Sequence, residues 1–227
     1  MPQFYTAETL KFFRGIKKNQ NKEWYEKNKP VYRRAVYDIS AALIEALSRT
    51  PEFKALGLKG SAKASQFRLH RDVRFSHNKA PYKTHAAFVM TRSGQKKDPG
   101  VFYMHVQPGA GGLYMGYWQV DPKILANFRN WIVEHPEEYL RNVENKLKAR
   151  KFSFSNEDDL KRMPRGYELV KDERIHAALK RRSFGVWEDL SDAELTGPRL
   201  DARIRSIAKR AAPLLLWGEA LIGDGHA

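Results

Sequence analysis

The 227-residue chain contains no cysteine, which excludes disulfides, thiolate catalysis and cysteine-ligated zinc or iron–sulfur centres. It also has no run of about twenty apolar residues: Pro213-Leu214-Leu215-Leu216-Trp217 stops at Gly218-Glu219, so no membrane span is expected. Met1-Pro2-Gln3-Phe4-Tyr5 shows no basic region followed by an apolar stretch; without a secretory signal, a cytoplasmic location is the default expectation. Internal repeats and low-complexity tracts are absent. No glycine-rich loop follows a strand pattern. Gly109, Gly111 and Gly112 lie between two extended segments and read as a hairpin turn rather than a phosphate cradle. The basic centre of the chain lacks the clustered carboxylates that magnesium or manganese requires, and Glu157-Asp158-Asp159 reads as a solvated loop. Neither a metal site nor a cofactor is expected.

What is present suits a sizeable core, with 42% hydrophobic and 12% aromatic residues. Residues 1–50 read as helical. Thr6 is placed to cap a helix that turns Leu10, Phe12 and Phe13 inward, and a second helix starts near Trp24. Asn28 reads as a further cap with Pro30 in the first turn, leading into a stripe of Val31, Ala35, Ile39, Leu43 and Leu47 that ends at Thr50-Pro51. Residues 64–118 are mainly extended, with strands expected over Phe67 to Ser76, Thr84 to Thr91, Val101 to Gln107 and Leu113 to Trp118. On such a first strand Arg68, Asp72 and Arg74 share one face, while Arg71 sits on the apolar face and needs a partner. Residues 121–150 return to helix: Asp121-Pro122 starts one, His135-Pro136 breaks it and Pro136 restarts it. Residues 151–227 are mixed, with a short helix and a strand between Lys171 and Trp187 and a final helix that Pro213 kinks or ends. Helices, then strands, then helices describe an α+β fold, one domain over 1–227 with a central antiparallel sheet packed against N-terminal and C-terminal helices.

Charge is distributed unevenly. Between Glu52 and Asp121 there are eleven Lys or Arg residues and two acids, Asp72 and Asp98, so this region carries +9 of the chain's net +15. Its densest part is Phe67-Arg68-Leu69-His70-Arg71-Asp72-Val73-Arg74-Phe75-Ser76-His77-Asn78-Lys79-Ala80-Pro81-Tyr82-Lys83. Three guanidinium groups within seven residues repel one another unless acids or a bound anion lie among them.

The motif Arg68-x-x-Arg71-Asp72-x-Arg74-Phe75-x-x-x-Asn78-Lys79-x-x-Tyr82 resembles the signature of a bacterial and fungal family of conserved hypothetical proteins, domain of unknown function 2461. Asn21-Lys22-Glu23-Trp24-Tyr25, Gly116-Tyr117-Trp118 and Arg162-Met163-Pro164-Arg165-Gly166-Tyr167 extend the resemblance over nearly the whole chain. It implies an α+β domain and marks the motif. It carries no reaction with it.

Function is therefore expected from the segment's chemistry. Arg68, Arg71, Arg74, Lys79 and Lys83 are the expected donors to a phosphate-bearing or other anionic ligand. Asn78 and Tyr82 add neutral hydrogen bonds, and Asp72 orients one arginine. An alternative is a metal-independent enzyme acting on a phosphate ester, with His70 or His77 carrying the proton; His85 and His105 lie in the same region. A third reading is a basic module that docks nucleic acid or an acidic protein. Interleaved aromatic residues such as Tyr103 and Tyr114 read as core rather than as stacking platforms for bases.

Overall fold

The computed structural model describes residues 3–223. Its first element, α1 (Ala7–Lys18), is capped as the sequence implies: the Thr6 hydroxyl accepts from the backbone N–H of Glu8, and the Thr9 hydroxyl closes a reciprocal bond with the Thr6 N–H. Next comes α2 (Lys22–Tyr32), started by Asn21, whose side chain accepts from the Trp24 N–H at 2.9 Å. A π-helical turn over Arg33–Tyr37 then joins it directly to α3 (Asp38–Ser48).

Asn28 is accordingly not a cap. It lies inside α2, donating to the Trp24 carbonyl at 2.8 Å, and Pro30 is also within the helix. Thr50 and Pro51 do end the run, opening α4 (Pro51–Ala55), and α5 (Ala62–Ser65) follows.

Four strands form one antiparallel sheet in the order β1-β2-β3-β4: β1 (Ala86–Met90), β2 (Gly100–Val106), β3 (Gly111–Tyr117) and, much later, β4 (Phe184–Leu190). In the first pair Ala87 faces His105 and Phe88 faces Met104. Between β3 and β4 run α6 (Pro122–Glu134), α7 (Pro136–Tyr139), a π turn over Leu140–Glu144, α8 (Asn145–Ala149), a 3₁₀ turn over Glu173–Ile175 and α9 (His176–Lys180). After β4 come α10 (Asp192–Leu195) and α11 (Leu200–Gly223). Among the described residues, no helix is long and apolar enough to cross a membrane.

The chain forms two compact units. One takes the described residues to Asp98, with Phe102–Leu113 and Glu188–Ile207. Its core gathers Phe12, Phe13 and Ile16 of α1, Leu43, Ile44 and Leu47 of α3, and Phe53, Phe88 and Phe102. The Phe53 and Phe102 rings meet edge to face at 4.9 Å.

The other unit takes Pro99–Val101, Tyr114–Trp187 and the chain from Ala208. Here Phe128 is the hub, with Tyr117, Phe184 and Trp217 rings at 5.2, 5.5 and 4.7 Å. Buried Arg129 donates to the carbonyls of Leu179 and Arg181, satisfying the last turn of α9. Arg181, also buried, donates to Glu144 at 2.6 Å and to the Tyr139 hydroxyl at 2.8 Å, with its guanidinium 3.9 Å over the Phe154 ring.

Pro213 neither ends nor interrupts α11. A proline cannot donate to the carbonyl four residues back, which here belongs to Lys209. Arg150 takes the place of that donor, its Nη1 reaching the Lys209 carbonyl at 3.3 Å and the Arg210 carbonyl at 2.9 Å. Arg210 in turn donates to the Arg150 carbonyl at 2.8 Å.

Candidate anion site on the Arg68–Lys83 hairpin

The cationic segment is not a strand. Its two legs pair briefly, with an isolated bridge between His70 and Tyr82, the Arg71 N–H donating to the Pro81 carbonyl and the Lys83 N–H to the Leu69 carbonyl, both at 2.8 Å. Between them the chain bulges into an irregular tip. The Asp72 carboxylate accepts from the Arg74 N–H and the Asn78 amide oxygen accepts from the Ala80 N–H; such side-chain-to-backbone bonds two residues apart compete with ladder formation. The shared strand face of Arg68, Asp72 and Arg74 therefore does not form.

Three of the five expected cations hold the tip in shape. Arg71, which needed a partner, finds one in the Ala80 carbonyl at 3.2 Å, with a longer approach to the Ser76 hydroxyl at 3.4 Å. Lys79 donates to the Val73 carbonyl at 3.1 Å. Arg74 forms a two-pronged bond with Asp72 at 3.0 and 2.7 Å, which holds the Asp72 carboxyl below its ordinary range. Among the described residues, Asp72 is the one carboxylate paired with the segment's cations; Glu26 bonds Lys29 instead.

Tyr82 is buried, its ring 4.7 Å from Tyr25 and 5.0 Å from His70, and burial raises its phenol. It is a packing residue between α2 and the hairpin. His70 sits edge-on to the Tyr25 ring at 5.3 Å, and His77 is exposed at the tip.

Arg68 and Lys83 are the two cations left over. Neither side chain forms a hydrogen bond or ion pair among the described residues, and Lys96 joins them: the ammonium groups of Lys83 and Lys96 lie 5.3 and 5.4 Å from the centre of the Phe67 ring. Partial burial, then Arg68 and Lys96, lower the Lys83 ammonium from its ordinary value. A charge that is destabilised by other cations gains most from an incoming anion.

Beside this patch, β2 turns a polar face outward. Phe102, Met104 and Val106 point into the core, while Tyr103, His105 and the following Gln107 alternate on the half-buried side. Tyr103 Oη lies 2.9 Å from His105 Nδ1, and His105 Nε2 lies 3.0 Å from Gln107 Oε1. The amide oxygen only accepts, so Nε2 carries the proton and Nδ1 accepts from the phenol. The His85 ring lies 4.2 Å from that of His105. Burial, the second imidazole and Lys83 push His85 down to about 4, and burial lowers His105 as well; both are neutral at pH 7.

The period-two alternation of β2 was readable in the sequence, but nothing there brought His85 or Lys96 to it. The described residues contain no cluster of three or more His, Cys, Asp or Glu arranged to hold a metal.

No curated protein and no solved structure matches the chain. A family described as conserved hypothetical protein (DUF2461) matches residues 8–217, a span that takes in the hairpin, the histidine pair and most of both compact units. The chain belongs to this family of conserved hypothetical proteins.

Proposed function

We propose that this is a cytosolic protein that binds a phosphate-bearing ligand at the base of the Arg68–Lys83 hairpin, through Arg68, Lys83 and Lys96. The observation that carries the reading is the division of labour among the cations. Arg71, Arg74 and Lys79 are occupied in shaping the tip, whereas Lys83 and Lys96 share the Phe67 ring, Arg68 adds its charge to theirs, and none of the three side chains forms an ion pair among the described residues. An anion of the phosphate class relieves that crowding, and each charged hydrogen bond contributes roughly 1.5–3 kcal/mol where solvent is limited. Asn78 and Tyr82 take structural roles, and Arg74 stays available to a larger ligand because its guanidinium is mostly exposed.

A second reading, a metal-independent phosphoester enzyme, is favoured by one observation: two imidazoles, neutral at pH 7, stand beside Lys83 with one of them held in a defined tautomer. In that reading His85, rather than His70 or His77, carries the proton. A third reading, a docking surface for nucleic acid or an acidic protein, draws on the openness of the same face.

Thermal melting in inorganic phosphate, sulfate, nucleotides and sugar phosphates tests the proposal. A melting temperature that rises with a phosphate compound and not with chloride at equal ionic strength supports it. Loss of binding between 50 and 200 mM salt, by a factor on the order of a thousand, points instead to a polyanion. Turnover of a phosphoester that survives His85→Gln removes the second reading.

A further inference from the structure

The second half of α11 lies in the Phe128-centred unit and is apolar on nearly every side. From Ala211 to Ile222 its single charged residue is Glu219. A helix that is hydrophobic all round requires cover all round. One side has it: Leu214, Leu215 and Gly218 are buried, with the Tyr117 hydroxyl donating to the Leu215 carbonyl at 2.6 Å. The other side does not. Ala212, Pro213, Leu216 and Ala220 line an open groove of about 640 Å³ whose floor is Trp131 and Trp217, with rings 6.0 Å apart.

Its size lies in the range of small-molecule sites, and Leu216 is 49% exposed along it. The far wall is formed by Asn142 and Val143 of the π turn, a widened turn of a kind frequent at functional sites. The indole N–H of Trp217 is buried with no acceptor among the described residues.

The charges on the groove identify the class of ligand. Lys146, Arg150 and Lys209 line it against one acid, Glu138, which leaves a net +2. Neither lysine side chain pairs with a carboxylate among the described residues, while Arg150 is fixed by the Lys209 and Arg210 carbonyls. From Ala212 to Leu221 the apolar stripe spans nine helical rises, about 14 Å, the reach of an extended chain of about a dozen carbons. We infer that this groove binds an unbranched acyl chain, its carboxylate directed to Lys146 and Lys209 and its tail laid on Trp131, Leu216 and Trp217. A neutral chain would fill the groove but leave the cations unpaired. A compact anion would meet the cations but leave the stripe bare.

Titration with dodecanoate, followed by intrinsic tryptophan emission and by melting temperature, tests the site, with dodecanol and acetate as controls. The expected result is a saturable change with dodecanoate, binding about tenfold weaker for dodecanol and no response to acetate. Lys146→Glu with Lys209→Glu should weaken dodecanoate about tenfold and leave dodecanol unchanged. Leu216→Asp, or Ala220→Glu at a second exposed position, should abolish both. Absence of a saturable response below about 1 mM dodecanoate, or binding indifferent to the lysine reversals, would overturn the assignment. So would sedimentation showing a dimer that Leu216→Asp dissolves, since the groove would then belong to a second copy. None of these outcomes depends on the hairpin site, which lies in the other unit.

Discussion

Arg68→Ala and Arg71→Ala, three residues apart and chemically identical, should fail in opposite ways. Arg71 holds the hairpin tip through the Ala80 carbonyl at 3.2 Å and the Ser76 hydroxyl at 3.4 Å, and it is half-buried. Charged hydrogen bonds contribute about 1.5–3 kcal/mol; with one strong and one weak bond and partial exposure, Arg71→Ala should cost about 1–2 kcal/mol. For a domain of this size that lowers the melting temperature by about 2–8 °C, with or without ligand. Arg68 makes no such bond and is exposed, so Arg68→Ala should melt within about 1 °C of the parent in plain buffer. The difference emerges with phosphate. At a hundredfold excess over Kd, binding stabilises the parent by about 2.7 kcal/mol, or roughly 5–11 °C, and Arg68→Ala and Lys83→Ala should each lose most of that shift. Differential scanning fluorimetry across a phosphate series, matched in ionic strength with chloride, reads both effects on one plate. If Arg68→Ala retained the full phosphate shift, or Arg71→Ala proved neutral in plain buffer, the division of labour argued for the hairpin would be wrong.

Three further outcomes follow from the packing. Arg181→Met should cost about 3 kcal/mol, the low end for a broken buried pair because Glu144 is about a quarter exposed; in urea melts its effect should be less than additive with Glu144→Gln, and additivity would show that the pair does not couple. Gly116→Ala should lower the melting temperature by at least about 5 °C, since Gly116 has φ 138° and a Cβ there would fall on the Phe184 carbonyl; an unchanged melt would contradict the β3–β4 approach. The His85 imidazole, held neutral down to about 4 against about 6.5 unfolded, takes up its proton more readily in the unfolded chain. Its contribution is therefore full above about pH 6.5 and is lost progressively toward pH 4. His85→Gln should flatten the stability profile between pH 6.5 and 5, above the main carboxylate range, and an unaltered slope would place His85 in contact with water.

The parts of the fold legible in the sequence are those set by local chemistry. Thr6, Asp121-Pro122 and Thr50-Pro51 act within one turn of helix and behave as their residue types dictate. The strands at Ala86–Met90, Gly100–Val106 and Gly111–Tyr117 follow from aromatic and β-branched runs separated by turn residues. Where the local rule failed, a distant group had replaced the missing one. Pro213 withholds a donor, and Arg150 supplies it from some sixty residues away. Pro30 is carried inside a helix that runs on through a π turn.

The same reasoning explains why the cationic cluster was easy to find and hard to apportion. Counting charges in a sequence compares cations with carboxylates, and on that count five cations faced one aspartate. A guanidinium or ammonium is also met by backbone carbonyls, which every residue carries and no composition reveals. The Ala80 and Val73 carbonyls absorb Arg71 and Lys79, and Asp72 absorbs Arg74. What remains is smaller than the sequence implied and lies elsewhere, around Lys83 at the base of the hairpin, where Lys96 arrives from a separate turn. Two leftover cations from the segment and one from outside it make the proposed phosphate site a narrower expectation than five in a row, since a long basic stretch attracts any polyanion whereas here three charges would have to meet one ligand.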